Sequence, residues 1–299
     1  MTPARRPRRT TGARPAPPPG IRRGRGTGPH PTDREPGRHR RADEEVYHGF
    51  RACQALFARR PDDIVRVYLA AGRRADFADL LGWCARSRRG FQIVEEENLG
   101  RLTGSIHHEG IAIVARAARR LGLAELRDAL AAGQRRGPIV HLDGVHNPHN
   151  LGSILRSAAH FGAAAVSGRS GDLPAVSPAA ARVAQGAADA VPLCDFADVA
   201  ADLAVLRGDG WVIVGTSSHH GDPYRARPLP LRTVIVLGSE GQGMSPDIEP
   251  LLDRCLRIPG TGAVESLNVA VAGGILLAEW SAAHADRPPQ PGGPGRRRP

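Results

Sequence analysis

From residue 139 onward, short apolar runs alternate with longer segments whose apolar residues recur at helical spacing. The runs at 139–142, 163–167, 190–193, 211–215, 233–237 and 255–258 predict strands, and the segments at about 150–161, 178–188, 196–207, 245–252 and 266–281 predict helices. Strands that alternate with helices in this way point to a parallel sheet covered on both faces. Upstream the pattern is shorter. A helical face (Phe50, Cys53, Leu56, Phe57) lies in a run that starts at Val46, strands are predicted at 64–69, 91–94 and 111–115, and a second helix at 77–83. Residues 117–134 are rich in Ala, Leu and Arg and predict a helix leading to a hinge at Arg135-Arg136-Gly137-Pro138.

These patterns divide the chain into an Arg-, Pro- and Gly-rich arm (1–41), a small α/β domain (42–118), a helical linker (119–137), a Rossmann-like α/β domain (138–285) and a basic tail (286–299). The arm has nine Pro, six Gly and almost no large apolar side chain, so ordering it would cost about 1–2 kcal/mol per residue with nothing buried in return, and disorder is expected. The tail is read in the same way.

Charge refines this division. The formal net charge is +11, yet the arm alone carries 12 Arg against Asp33 and Glu35, and residues 138–286 hold nine Arg against 15 acids. A flexible basic arm suits contact with phosphates, while the larger domain is mildly acidic. All 41 basic residues are arginine. Without lysine, a Walker-type phosphate loop, a Schiff-base enzyme and a lysine general base are excluded. Cys53, Cys84, Cys194 and Cys255 form no C-x-x-C pair, which fits reduced thiols in a cytoplasmic protein better than a disulfide framework or a zinc knuckle. No apolar stretch follows the N-terminal arginines, so no secretory leader is expected. The apolar stretch 269–280 has the length of a buried core helix, and no membrane association is expected.

In an open parallel sheet, ligands collect beyond the carboxyl ends of the strands, and three turns there are unusual. The first runs from Asp143-Gly144-Val145-His146-Asn147-Pro148-His149-Asn150 to Arg156, with Asn150 expected to cap the helix and Arg156 standing in an otherwise apolar helix. The second, Leu237-Gly238-Ser239-Glu240-Gly241-Gln242-Gly243-Met244-Ser245-Pro246, has three glycines that permit close approach to backbone, around an acid that favours a cationic ligand over a phosphate. The third leaves a strand at Ile258-Pro259-Gly260-Thr261-Gly262 and enters a helix at Glu265-Ser266-Leu267-Asn268, with Ser266 or Glu265 near the cap. Inside that helix Gly273-Gly274 costs roughly 1 kcal/mol per glycine, so another helix, a dimer partner or a chain crossing is expected to pack close.

The three turns resemble the three motifs of the SpoU/TrmH family of RNA ribose 2′-O-methyltransferases, in the SPOUT class. Asn147-Pro148-His149-Asn150-Leu151-Gly152 with Arg156 resembles the first motif, Leu237 to Gly243 the second, and Ile258-Pro259 with Glu265-Ser266-Leu267-Asn268-Val269 the third. Residues 44–116 resemble the RNA substrate-binding domain of that family, closing on His107-His108-Glu109-Gly110-Ile111-Ala112 with Glu109 where the family more often has Gln. Thr216-Ser217-Ser218-His219 and Leu276-Leu277-Ala278-Glu279-Trp280 are similar to the YfiF-like subgroup. The resemblance implies a C-terminal sheet with a deep trefoil knot, S-adenosylmethionine as cofactor, tRNA or rRNA as substrate and a homodimer. By position it implies a cofactor pocket lined by Thr216, Leu237, Gly238, Gly243, Ile258, Ser266 and Leu267. It implies that Arg156 handles the 2′-hydroxyl, oriented by Glu240 and Asn150, with Ser266 and Asn268 completing the site. A guanidinium is effectively always protonated, so Arg156 is read equally as a polariser of the hydroxyl, a stabiliser of the alkoxide or an anchor for the adjacent phosphate.

Two other readings stand beside this one. A non-catalytic RNA-binding protein of the same fold would be marked by loss of Arg156, Glu240 or Asn268, and all three are present. A metal-dependent hydrolase would use His141, Asp143, His146 and His149, which have no fixed helical spacing and no acidic cluster beside them. A nicotinamide oxidoreductase is disfavoured because G-x-G-x-x-G is missing.

Overall fold

The computed structural model describes residues 43–284; the arm (1–41) and the tail (286–299) lie outside them. The first layer of order is a small sheet. Its strands and helices run β1 (Glu44–His48), α1 (Phe50–Arg59), β2 (Ile64–Leu69), α2 (Ala78–Arg86), β3 (Gly90–Ile93), α3 (Glu96–Thr103) and β4 (Ile111–Arg116), with sheet order β1-β4-β2-β3. Strand β1 replaces the start of the helix expected from Val46. Gly49, with φ of 87°, breaks the chain between strand and helix, so Val46, Tyr47 and His48 pair with β4. Helix α3 was not expected.

Glu109 closes this domain. Its carboxylate accepts the Phe50 amide at 2.8 Å and so satisfies a free donor at the start of α1, where the first turn has no acid of its own.

The second sheet is built from β5 (Leu121–Gly122), α4 (Leu123–Ala131), β6 (Ile139–Asp143), α5 (Pro148–Phe161), β7 (Ala165–Arg169), α6 (Pro178–Ala184), β8 (Leu193–Phe196), α7 (Val199–Gly208), β9 (Val212–Thr216), β10 (Asp222–Pro223), β11 (Thr233–Gly238), β12 (Arg254–Arg257) and α8 (Val269–Ala283). Its order is β10-β12-β9-β11-β6-β7-β8-β5, and every pairing is parallel. Helices cover both faces, as the alternation of strands and helices predicts. Two expected elements differ. The stretch read as a helical linker begins with β5, which pairs with β8 and so belongs to this sheet. Residues 245–252 hold only a single 3-10 turn at Glu249–Leu251, because Pro246 and Pro250 break helical bonding.

The glycines of α8 are explained within the chain. A Cβ on Gly273 would lie 2.7 Å from Leu237 of β11, and one on Gly274 would meet Ser157 of α5 at 3.6 Å. Helix α8 therefore lies hard against both the sheet and α5. The two domains are joined as closely: Gly186, with φ of 85°, would place a Cβ 2.2 Å from that of Ala55. Beside it Arg60 donates to Asp189 at 2.7 Å and to the Tyr47 hydroxyl at 2.8 Å. The Asp189 side chain is 1% exposed, and burial raises its pKa above the ordinary carboxylate range although Arg60 opposes this.

Candidate active site

Because the sheet is parallel, the ends of β6, β9, β11 and β12 open on one edge, and the three unusual turns meet there. Asn147, not Asn150, caps α5, accepting the His149 amide at 2.9 Å with Pro148 in the first turn. That shift puts Asn150 inside the helix and buries it. Its side chain then donates to Glu240 Oε1 at 3.1 Å and accepts from Asn268 Nδ2 at 3.0 Å.

Asn268 is the cap of α8, in place of Ser266 or Glu265. Its Oδ1 accepts the amides of Ala270 and Val271 at 3.0 and 3.3 Å, while its Nδ2 donates to Glu240 Oε1 at 2.6 Å. Glu240 Oε1 also accepts the Val269 amide at 3.3 Å. One carboxylate oxygen thus joins the second turn to the starts of both α5 and α8, where helix dipoles favour an anion.

The glycine turn is shaped by its own backbone. Ser239 and Gly243 exchange amide bonds at 2.9 and 3.0 Å, and a Cβ on Gly238 would fall 2.4 Å from the Gly243 carbonyl carbon. Gly243 itself needs its φ of 70°. Sequence reasoning gave no role to the clasp that holds the far end of this turn. Asp143, buried at the end of β6, accepts the Ser245 hydroxyl at 2.6 Å and also the Ser245 amide. The available signal was an acid that directly ends the strand-like run Ile139-Val140-His141-Leu142.

The residues expected to hold a cofactor are distributed along the same edge. Leu237 is buried and Gly238 half-buried at the end of β11, while Thr216 ends β9 and spends its hydroxyl on the Val236 carbonyl at 3.1 Å. Ile258 follows β12 and is half-buried; Ser266 and Leu267 are exposed on the chain entering α8. The loops after β9 and β12 approach each other, with His219 Nε2 3.6 Å from Glu265 Oε1.

Arg156 stands apart. It is exposed on α5 and has no hydrogen bond or ion pair with Asn150 or Glu240, which bond to each other instead. The histidines also diverge: His141 is buried, stacked on Phe196 and bonded to Ser167 at 3.1 Å, whereas His146 faces the Asp172 carbonyl at 3.3 Å. Among the described residues no three His, Cys, Asp or Glu side chains gather as a metal site.

A family model described as the SpoU rRNA Methylase family matches residues 137–278, and one described as RNA 2'-O ribose methyltransferase substrate binding matches residues 47–121. A protein of Escherichia coli O157:H7 named as an uncharacterized tRNA/rRNA methyltransferase, YfiF, is 36% identical over 243 residues, covering 81% of this chain and 69% of its own. The chain belongs to the SpoU rRNA methylase family. Within that family it is also 34% identical to the 23S rRNA (guanosine-2'-O-)-methyltransferase RlmB of Nitrosomonas europaea, over 80% of this chain and 92% of that one. The SpoU methyltransferase AviRb of Streptomyces viridochromogenes, solved in complex with AdoMet, shares the fold, with a TM-score of 0.64 and 22% identity over 82% of this chain and 91% of that one.

Proposed function

We propose that this chain is an S-adenosylmethionine-dependent RNA methyltransferase that modifies a ribose 2′-hydroxyl in tRNA or rRNA. The observation that carries the reading is the junction of Asn150, Glu240 and Asn268, which ties the three family motifs into one site at the carboxyl edge of the sheet. The YfiF and RlmB relatives, named for tRNA/rRNA and for 23S rRNA, support the substrate class.

The residues present fit the cofactor. Gly241, Gly260 and Gly262 leave open space where a Cβ would stand, beside the carboxylates of Glu240 and Glu265, which suits a flat heterocycle next to a cation. Leu237, Gly238, Gly243, Ile258, Ser266 and Leu267 would hold it, with Thr216 contributing through its backbone. S-adenosylmethionine supplies an electrophilic methyl group when bound. The Asn150–Glu240–Asn268 junction fixes the turns that surround the reacting atoms, so the hydroxyl meets a site already in place. Arg156, exposed and uncommitted to Asn150 or Glu240, offers its N–H donors to the ribose oxygen as negative charge develops there, or to the neighbouring phosphate.

In this reading residues 42–118 hold RNA, residues 119–137 link, and residues 138–285 perform the transfer. The order of β12, β9 and β11 supports the trefoil knot of the class, since β12 follows β11 in sequence but lies beyond β9. Exposed Val264, Leu267 and Val271 around the start of α8 support a homodimer. Free Cys53, Cys84, Cys194 and Cys255 support the cytoplasm as location, and among the described residues no helix is long and apolar enough to cross a membrane. The deciding experiment is transfer of labelled methyl from the cofactor to bulk tRNA and rRNA, followed by mapping of the modified ribose. Absence of label in both pools from folded protein overturns the reading.

A further inference from the structure

Among the described residues one sheet edge of useful length is left open. The large sheet ends on β10 and β5, strands of two residues each, and in the small sheet β1 packs against α6. Strand β3, the remaining edge, pairs only with β2. Its ladder runs on through the Val94 amide, which donates to the Leu69 carbonyl at 3.0 Å, and Glu95 is still extended with φ of −72° and ψ of 151°. Backbone groups alternate in direction along a strand. Gln92 and Val94 therefore face β2, while Phe91 and Ile93 turn their amides and carbonyls to the open side.

Phe91 and Ile93 stand in register with Val67 and Leu69 of β2, which are fully buried, and so continue the core face of the sheet. They are nevertheless 40% and 37% exposed. The charges around them are arranged about a centre. Arg88 and Arg89 precede the strand, Glu95 and Glu96 follow it, and Gln92 lies midway. Arg89 donates to the Asp62 carbonyl at 3.1 Å, and Glu97 is bonded to Arg101 at 2.6 Å. Arg88, Glu95 and Glu96 enter no ion pair among the described residues. A segment with a basic end, a polar centre and an acidic end is its own complement when reversed.

We propose that β3 is an interface with a second copy of this chain, the two strands pairing antiparallel about a twofold axis at Gln92. In that register Phe91 of each copy faces Ile93 of the other as a hydrogen-bonded pair. Gln92 faces Gln92 between them, and Arg89 and Arg88 face Glu95 and Glu96. Two four-stranded sheets become one, with the apolar face carried across the seam. Charge selects this arrangement. Parallel pairing in register would set the arginines of one copy against those of the other, and the acids likewise. A shift of two residues would oppose Arg89 to Ile93 in one direction and Glu95 to Phe91 in the other, so the register is fixed as well. The interface is separate from the exposed residues at the start of α8 and does not depend on them.

The test is sedimentation velocity of the nuclease-treated full chain over a concentration series. Wild type should gain mass with concentration. Ile93→Lys places a charge in both apolar pairs and should weaken that step by about 10-fold or more. R88E/R89E and E95R/E96R should each weaken it too, and an equimolar mixture of these two variants should associate again, because each end then meets its opposite. A role in folding alone gives no such recovery. Gln92→Cys should cross-link between copies under mild oxidation, whereas Phe91→Cys, which faces Ile93, should not. The proposal is overturned if Ile93→Lys sediments as wild type at every concentration, or if mixing restores nothing and Gln92→Cys stays unlinked. A strand supplied to this edge by residues 1–42, or by a peptide of another protein, would leave the mass of Ile93→Lys equal to that of wild type and overturns it equally.

Discussion

Asn268 Nδ2 stands 2.6 Å from Glu240 Oε1, an oxygen that also accepts from Asn150 Nδ2 and from the Val269 amide. Replacing Glu240 by Ala leaves all three donors without this partner and frees the glycine turn from α8. Methyl transfer by Glu240→Ala is expected to fall by about 100-fold, the usual cost of a displaced site, with a raised KM for the cofactor. Single-turnover assays with cofactor titration separate the two effects, and unchanged kinetics would remove Glu240 from the site.

Arg156 gives a contrasting expectation. Its side chain supports no neighbouring motif residue, so Arg156→Ala should keep wild-type melting and cofactor affinity while methylation drops by about 100- to 1,000-fold, the range for removing a donor to a developing oxyanion. Equilibrium binding of labelled cofactor alongside turnover checks this. Wild-type turnover in the variant would exclude the assignment.

The Asp143–Ser245 clasp is a positioning feature whose loss should show in stability as well as in KM. Asp143→Ala strands the hydroxyl and amide of Ser245 at a partly buried place, costing about 1–3 kcal/mol in urea unfolding. Asp143→Asn retains an acceptor and should recover part of the loss. Equal destabilisation by both variants would argue against a hydrogen-bonding role.

Stability should also depend on pH through His141. Burial lowers its pKa from 6.5 to about 4, with Asp143 opposing the shift and Arg169 adding to it. The unfolded chain therefore takes up this proton before the folded chain does. The contribution is fully present above about pH 6.5 and is lost as pH falls toward about 4, reaching roughly 3 kcal/mol. His48, whose pKa burial also lowers, adds in the same direction. In His141→Gln the fall in urea midpoint between neutral and acid pH should be smaller than in wild type, and an equal fall would refute the assignment.

Most strands and helices of the large sheet were legible because short apolar runs alternate there with segments of helical spacing; the two-residue strands β5 and β10 and the proline-broken stretch 245–252 were not. What escaped was local competition. Val46 to His48 continues the apolar spacing of α1, and only Gly49 reveals that the chain turns from strand to helix there. Asn147 and Asn150 are both good caps by composition, and the choice between them rests on where the chain leaves β6. The same ambiguity separated Ser266 from Asn268. The motifs pointed to one edge of the sheet, where the three turns meet. Yet the bonds joining Asn150 to residues 90 and 118 positions away, and the clasp at Asp143, are products of topology that no local pattern encodes.

Gly186 wedged against Ala55, with Arg60 bonded to buried Asp189, makes the small sheet a fixed extension of the large one. In the proposed reading, an RNA held by the small domain and modified near Arg156 would thus be measured against a rigid ruler. The choice of ribose would follow from the span between the two places, counted in nucleotides, as much as from the identity of the base that enters the site.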